Sequence, residues 1–372
     1  MQQFNNLKKG VPVFLLLVLS IQWSFSQKYS NEFLSIGLSA RAQAMGNSFV
    51  ASVDDVTAGF WNPAALASID MSKGIQIGAK HAEWFGGVGK YDYLGLAIPF
   101  DDHKRAFGVS MIRFGIDDIP NTLSLYEDDG SVNYDNIKPF SAADYALIFS
   151  YAQKTPIKNL SVGGNAKIIR RVIGTFGNSW GFGIDLGSQY RMGNWRFGLM
   201  ARDISFTFNG WEFNLSDNEK DVFLRTGNEI PTSTLEITTP RIILGAAWMR
   251  QFTPKISLVT ELDLDFTTDG KRNVLISAGP MQIDPHLGFE ARYSDFLFLR
   301  GGISNIQKSR DDVNPDNIIY TLQPNLGIGF HLGKFTIDYA FTDIGNVSQI
   351  LYSHIFSVKI DFEKREPTED FN

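Results

Sequence analysis

From residue 73 onward apolar residues recur at every second position, and no other feature of this 372-residue chain restricts its folding as much. In "ELDLDF" (Glu261–Phe266), Glu261, Asp263 and Asp265 fall on one face of an extended chain. Leu262, Leu264 and Phe266 fall on the other. "KFTIDYAF" separates Phe335, Ile337, Tyr339 and Phe341 from Thr336, Asp338 and Ala340. "FSVKIDF" separates Phe356, Val358, Ile360 and Phe362 from Ser357, Lys359 and Asp361. A helix would scatter these residues around its axis, whereas a strand sorts them into two faces. Fourteen segments carry the pattern, near residues 73–81, 91–100, 104–116, 143–154, 160–173, 179–192, 194–204, 240–252, 256–268, 281–293, 296–306, 323–332, 335–343 and 352–363. The third, tenth and eleventh alternate poorly, which predicts β-bulges there.

The connections sort into two kinds. "DDH", "TPIKN", Gly193, "TPK", "SD" and "GK" are short; 82–90, 117–142, 174–178, 205–239, 269–280, 307–322 and 344–351 are longer, although 174–178 is no longer than a turn. The two kinds alternate along the chain. A soluble antiparallel sheet explains the alternating faces but not this order of lengths. A membrane barrel explains both, with short turns at one rim and loops at the other. The mean hydropathy of −0.09 is compatible with either, because a barrel hides its apolar half within the alternation. The expected fold class is therefore all-β: a transmembrane antiparallel β-barrel of about 14 strands with a small N-terminal plug.

The N-terminus reads as an export signal. Lys8 and Lys9 precede the apolar run Val11–Ile21, which is too short to span a bilayer, and "SFS" precedes Gln27. Cleavage after Ser26 takes the net charge from −6 to −8. The resulting division is a signal peptide at 1–26, a plug segment at 27–72, the barrel at 73–363 and a periplasmic tail at 364–372. The expected location is the outer membrane, with both termini periplasmic.

Several functions lose support. The chain has no cysteine, which removes disulfides, thiolate metal sites and cysteine nucleophiles. The five histidines are scattered and no HExxH occurs, so neither an enzyme nor a cofactor is expected. The acidic stretches "YEDDGSVNYDN" and "DDVNPDN" do not follow a calcium-loop spacing. No dense basic patch suggests nucleic acid. The glycines of "GFGIDLG" (Gly181–Gly187) lie within a strand and fit close packing inside a barrel better than a phosphate loop.

A barrel of this size is too wide for its own side chains to fill, so it is wet, plugged or both. The lumen-facing charges expected to form a network include Asp185, Arg196, Arg202, Glu261, Asp263, Asp265, Arg300, Asp338 and Lys359, together with Lys167, Glu290, Arg292 and Asp361. They serve either as structural ion pairs or as contacts to a transported solute. The three acids of "ELDLDF" are expected to face arginines on neighbouring strands. In "WNPAALAS", Asn62 is a good N-cap and Pro63 suits a first helical turn, which places Trp61, Asn62, Pro63 and Ala64 in a folded plug. In the loop "GWEFNLSD", Trp211 and Phe213 are either a partner-facing pair or anchors packed on the rim.

The run "SARAQAMGNSFVASVDDVTAGFWNPAALAS", with "AMG" at Ala44–Gly46, Asp54, Asp55 and Ala58, and "WNPA" at Trp61–Ala64, resembles the FadL-like superfamily of outer-membrane barrels. Within it, the chain is most similar to the PorV/PorQ family of the type IX secretion system. The motif covers about thirty residues; the barrel pattern extends over nearly all the rest. The resemblance implies an N-terminal hatch and a component of type IX secretion or cell-surface attachment acting through protein contacts. The wider superfamily implies instead a transporter of hydrophobic small molecules. Outer-membrane lipid is a partner in either case, with protein partners in the first and a hydrophobic ligand in the lumen in the second.

Overall fold

The computed structural model describes residues 30–69, 74–101, 104–127, 129–310, 314, 316–344 and 353–362. The expected signal peptide and C-terminal tail lie outside them. Among the described residues, seventeen strands form one antiparallel sheet. They are β1 (Ile75–Trp84), β2 (Gly89–Phe100), β3 (Arg105–Asn121), β4 (Lys138–Lys154), β5 (Leu160–Ile173), β6 (Gly177–Met192), β7 (Trp195–Arg202), β8 (Thr207–Phe213), β9 (Leu235–Thr238), β10 (Arg241–Thr253), β11 (Ile256–Thr267), β12 (Ile276–Ala278), β13 (Met281–Tyr293), β14 (Leu297–Arg310), β15 (Ile318–Leu332), β16 (Phe335–Thr342) and β17 (Ser353–Phe362). β8 extends the line of β7, β9 leads into β10, and β12 pairs with β13 alone, which leaves fourteen full staves. β1 pairs with β17 from Ile75↔Phe362 to Glu83↔His354, and this closes the barrel. Closure matters because an open edge would leave unpaired backbone groups in hydrocarbon. No helix among the described residues is long and apolar enough to cross a membrane.

The faces follow the alternation. Large apolar side chains point outward all around the wall, among them Phe182 (60% exposed), Leu326 (56%) and Ile337 (43%). The acids at 261, 263 and 265 are buried inside. In the register of β16 with β17, Ile337 sits opposite Val358 and Thr336 opposite Lys359. Ile337→Arg should therefore hinder assembly, at about 2–4 kcal/mol if it lies near mid-bilayer. Thr336→Arg, facing the wet interior, should be milder. Heat-modifiability on gels compares the two, and equal behaviour would remove the assignment of faces for that strand.

The sequence pattern and the ladder differ at the long-loop end. β3 and β4 continue to Asn121 and from Lys138, past the limits that alternation suggests, and the remaining connections 85–88 and 174–176 are as short as turns. Register shifts occur in β3 (Ile116/Ile119) and β14 (Ser304/Gln307), two of the three strands expected to bulge. The tenth candidate, β13, pairs continuously with β11 from Thr267↔Gln282 to Ile256↔Tyr293. A further shift lies at Gln251/Thr253 in β10.

Candidate functional site

The barrel is not hollow. Residues 30–69 occupy its lumen as two short helices, α1 (Ala40–Ala44) and α2 (Ala58–Trp61), and two 3-10 turns, Glu32–Leu34 and Pro63–Ser68. Small side chains make this possible: Ala40, Ala42, Ala44, Ala58, Ala64 and Ala65 are fully buried. Wall glycines give room from the other side. A Cβ on Gly302 would collide with the backbone at Met45 and Gly46, and one on Gly163 would lie 2.6 Å from the amide of Ala64. The "AMG" and "WNPA" motifs thus both sit where backbone meets backbone across the lumen.

Within "WNPAALAS", Trp61 Nε1 donates to the Leu38 carbonyl at 3.1 Å, and its ring meets Phe49 and Phe60 edge-on. Asn62 caps the turn begun by Pro63, accepting from Ala64 N at 3.2 Å. Its Nδ2 also donates to the carbonyls of Val50 and Ser188, each at 3.0 Å. One side chain therefore links two parts of the inner segment to the wall. Asn62→Ala would remove the cap and strand two carbonyls, a loss of roughly 2–3 kcal/mol. The expected outcome is faster proteolysis of residues 49–69 in an otherwise intact barrel; an unchanged cleavage rate would count against the link.

The acidic stripe of β11 behaves differently from expectation. Only Asp265 meets an arginine, Arg241. Glu261 accepts from the backbone amides of Ala51 (2.6 Å) and Ser52 (3.0 Å), and Asp263 from those of Phe49 (2.8 Å) and Val50 (3.0 Å). Four consecutive amides of a non-helical turn point one way, and two carboxylates fill the positive concavity they make. For Glu261 and Asp263 the backbone of the inner segment stands where arginines were expected.

The other charges form two clusters. Lys167 bridges Asp185 (2.7 Å) and Asp203 (2.6 Å). Arg41 grips Glu290 with two donors, at 2.8 and 3.2 Å, and Asp54 at 2.6 Å. From Glu290 the network continues through Arg300 to Asp338 at 2.7 Å. Burial raises the Asp54 carboxyl's pKa, but Arg41, Arg292 and Arg196 outweigh it and hold the group well below the usual carboxylate range. Burial likewise opposes the charge on Arg41, and Asp54, Glu290 and Asp55 overcome it. Arg196 lies 3.8 Å from Asp54, and Lys359 lies 3.7 Å from Asp361. Arg202 makes no ion pair among the described residues; it stacks 4.4 Å over Phe60 and points at the carbonyls of Leu34 and Phe60.

Trp211 and Phe213 lie on β8, half-buried, with rings stacked at 5.7 Å. Arg171 covers Trp211 at 5.1 Å, and the indole N–H donates to Glu236. The sequence did not single out Lys80, Arg191, Asp203 and Arg241, which adjoin these networks. All four lie on strands already expected, and the alternation places Lys80, Arg191 and Arg241 inward.

The wall changes character at the seventh stave. Asp203 and Phe206 adopt left-handed backbone conformations, and the β6 ladder passes from β7 to β8 across the gap. The gap is held by one backbone bond, Ile204 N donating to the Ile184 carbonyl at 2.9 Å, and by Asp203 N donating to Asp185 Oδ1 and Ile184 N donating to Ser205 Oγ. Outside it stand Ile204, Phe206 and Phe208; inside lies a small cavity bordered by Leu34, Phe60 and Ile148 and by the charged side chains of Lys167, Asp185, Arg202 and Asp203. No cluster of metal-type ligands occurs among the described residues.

No family model matches the chain, and no curated protein does. Solved structures do. A CymD monoaromatic hydrocarbon channel aligns with 91% of this chain and all of its own at 14% identity and a TM-score of 0.55. The Pseudomonas putida toluene transporter TodX aligns with 87% of this chain and 96% of its own at 14% identity and a TM-score of 0.52. A Pseudomonas aeruginosa FadL homologue aligns with 91% of this chain at 13% identity and a TM-score of 0.49. The first two likenesses establish a fold shared with CymD and TodX.

Proposed function

We propose that this protein is a non-enzymatic outer-membrane barrel that passes a small hydrophobic molecule, with residues 30–69 as a plug that yields during passage. The interrupted seventh stave carries the reading. It is the place where the β6 ladder is interrupted and the wall is held partly by side-chain bonds, with Ile204, Phe206 and Phe208 outside and a cavity inside that Leu34, Phe60 and Ile148 share with charged side chains. Such bonds break without unzipping a ladder. The hydrocarbon channels that share the fold support the same substrate class.

The test is uptake of a labelled monoaromatic hydrocarbon by cells with and without the protein, paired with mass spectrometry of the detergent-purified barrel. Faster uptake, or an apolar molecule carried through purification, supports the reading. Equal uptake and an empty barrel would sink it. The topology proposed with it has both termini periplasmic, so an epitope within 205–239 should be reachable on intact cells.

A second reading, a component of type IX secretion, is favoured by the sequence resemblance around "AMG" and "WNPA". Those residues pack against the wall, so they explain how a plug is seated and leave the partner to be found. Recovery of secretion or attachment proteins in a pull-down from solubilised membranes would select it.

A further inference from the structure

A chamber of about 630 Å3 opens at the short-turn end of the barrel, beneath the plug. Seven arginine and lysine side chains border it against five carboxylates, in a chain whose formal charge is −6. Three of these cations, Arg191, Arg196 and Arg292, come together near Asp54. Their pairing is incomplete. Asp54 Oδ1 is taken by Arg41 at 2.6 Å. Asp54 Oδ2 stands 3.8 Å from Arg196 and 3.7 Å from Arg292, beyond hydrogen-bond reach. Arg292 has a second partner, Glu290, at 2.6 Å. Among the described residues, Arg196 otherwise reaches only the Ser52 carbonyl, at 3.4 Å. Arg191 has no carboxylate within ion-pair distance among the described residues. Its Nη2 donates to the Ser68 carbonyl, while its Nε is buried without a partner among the described residues.

We infer that this chamber binds an oxyanion, a phosphate or a group of equivalent charge and shape, held by Arg191 and Arg196 with Arg292 at its edge. Clustered guanidiniums repel one another, and a single shared carboxylate leaves part of that repulsion uncompensated. An oxyanion offers several acceptors to planar donor forks, the geometry arginine serves better than lysine. The plug contributes Asp54, Ser52 and Ser68 to the same cluster, so a bound anion would also tie the plug to the wall. The site does not depend on the transport reading; it rests on unspent donors around an open space.

The experiment uses the full-length protein in detergent, titrated with inorganic phosphate while chloride keeps ionic strength constant. Thermal unfolding and calorimetry are the readouts. Saturable binding of phosphate, with a rise in melting temperature that chloride does not reproduce, is the expected result. Arg191→Gln with Arg196→Gln should weaken it at least tenfold, and Arg191→Lys by less. Heat-modifiability of each variant confirms a folded barrel, so lost binding cannot be mistaken for lost structure. Short-chain phosphatidic acid below its micelle concentration distinguishes sources: tighter binding than phosphate assigns a lipid headgroup, and equal or weaker binding assigns a free anion. Failure of phosphate and phosphatidic acid to bind, or full affinity in the double glutamine variant, overturns the proposal.

Discussion

Removing both acids that hold residues 49–52, as Glu261→Ala with Asp263→Ala, should leave a barrel that still inserts but whose lumen leaks. Each carboxylate accepts two backbone amides, and both side chains are buried. A hydrogen bond contributes about 1 kcal/mol net, and about 1.5–3 kcal/mol where one partner is charged. Four bonds sharing one turn are not additive, so a loss on the order of 5 kcal/mol is expected for seating the plug. The strand should survive, because its ladder with β10 and β13 uses backbone groups. Single-channel conductance and protease sensitivity of residues 49–69 should rise together, while heat-modifiability stays as in the parent. Either single variant should show a smaller effect. A tight, protease-resistant lumen in the double variant would mean that packing against the wall glycines is enough by itself.

The same acids show where sequence reading stops. Their inward orientation was legible, since Leu262, Leu264 and Phe266 fixed the lipid face and left Glu261, Asp263 and Asp265 inside. The fourteen staves were legible for the same reason, because period two survives wherever one face meets lipid and the other water. Beyond the membrane that contrast fades, although the ladder goes on. The extensions of β3 and β4 and the short strands β8, β9 and β12 therefore carry no period-two signal that separates them from loop. Partners were hidden more deeply. A carboxylate gives no sign in sequence of whether a guanidinium or a backbone amide will meet it. Asn62 was recognised as a cap, whereas its bonds to Val50 and Ser188, the latter 126 residues away, depend on the folded barrel. The basic chamber is the extreme case, assembled from the plug and staves far apart in the chain.

Arg41 joins the plug to the wall by charge, and Arg41→Leu should loosen the plug almost as much as loss of the β11 acids. The guanidinium is buried and serves Asp54 and Glu290 at once. Breaking a buried pair by removing one partner typically costs about 3–5 kcal/mol, because the remaining charge has lost its compensation. Glu290 keeps Arg292 and Arg300. Asp54 keeps only arginines beyond 3.6 Å, so the penalty falls chiefly there. Asp54→Asn added to Arg41→Leu should then recover part of the lost protease protection. The pH response has a defined sign. The Asp54 pKa is depressed in the folded protein, so the stability it supplies is present above the ordinary carboxylate pKa. That stability declines only as pH falls toward the depressed value. The Asp54 contribution to seating in the parent should therefore be flat from pH 8 to pH 5. Cleavage rates measured at both pH values for the parent, Arg41→Leu and the double variant check all three expectations. A parent that loosens by pH 5 while Arg41→Leu matches it at pH 8 would show that the plug is held by some other titrating group.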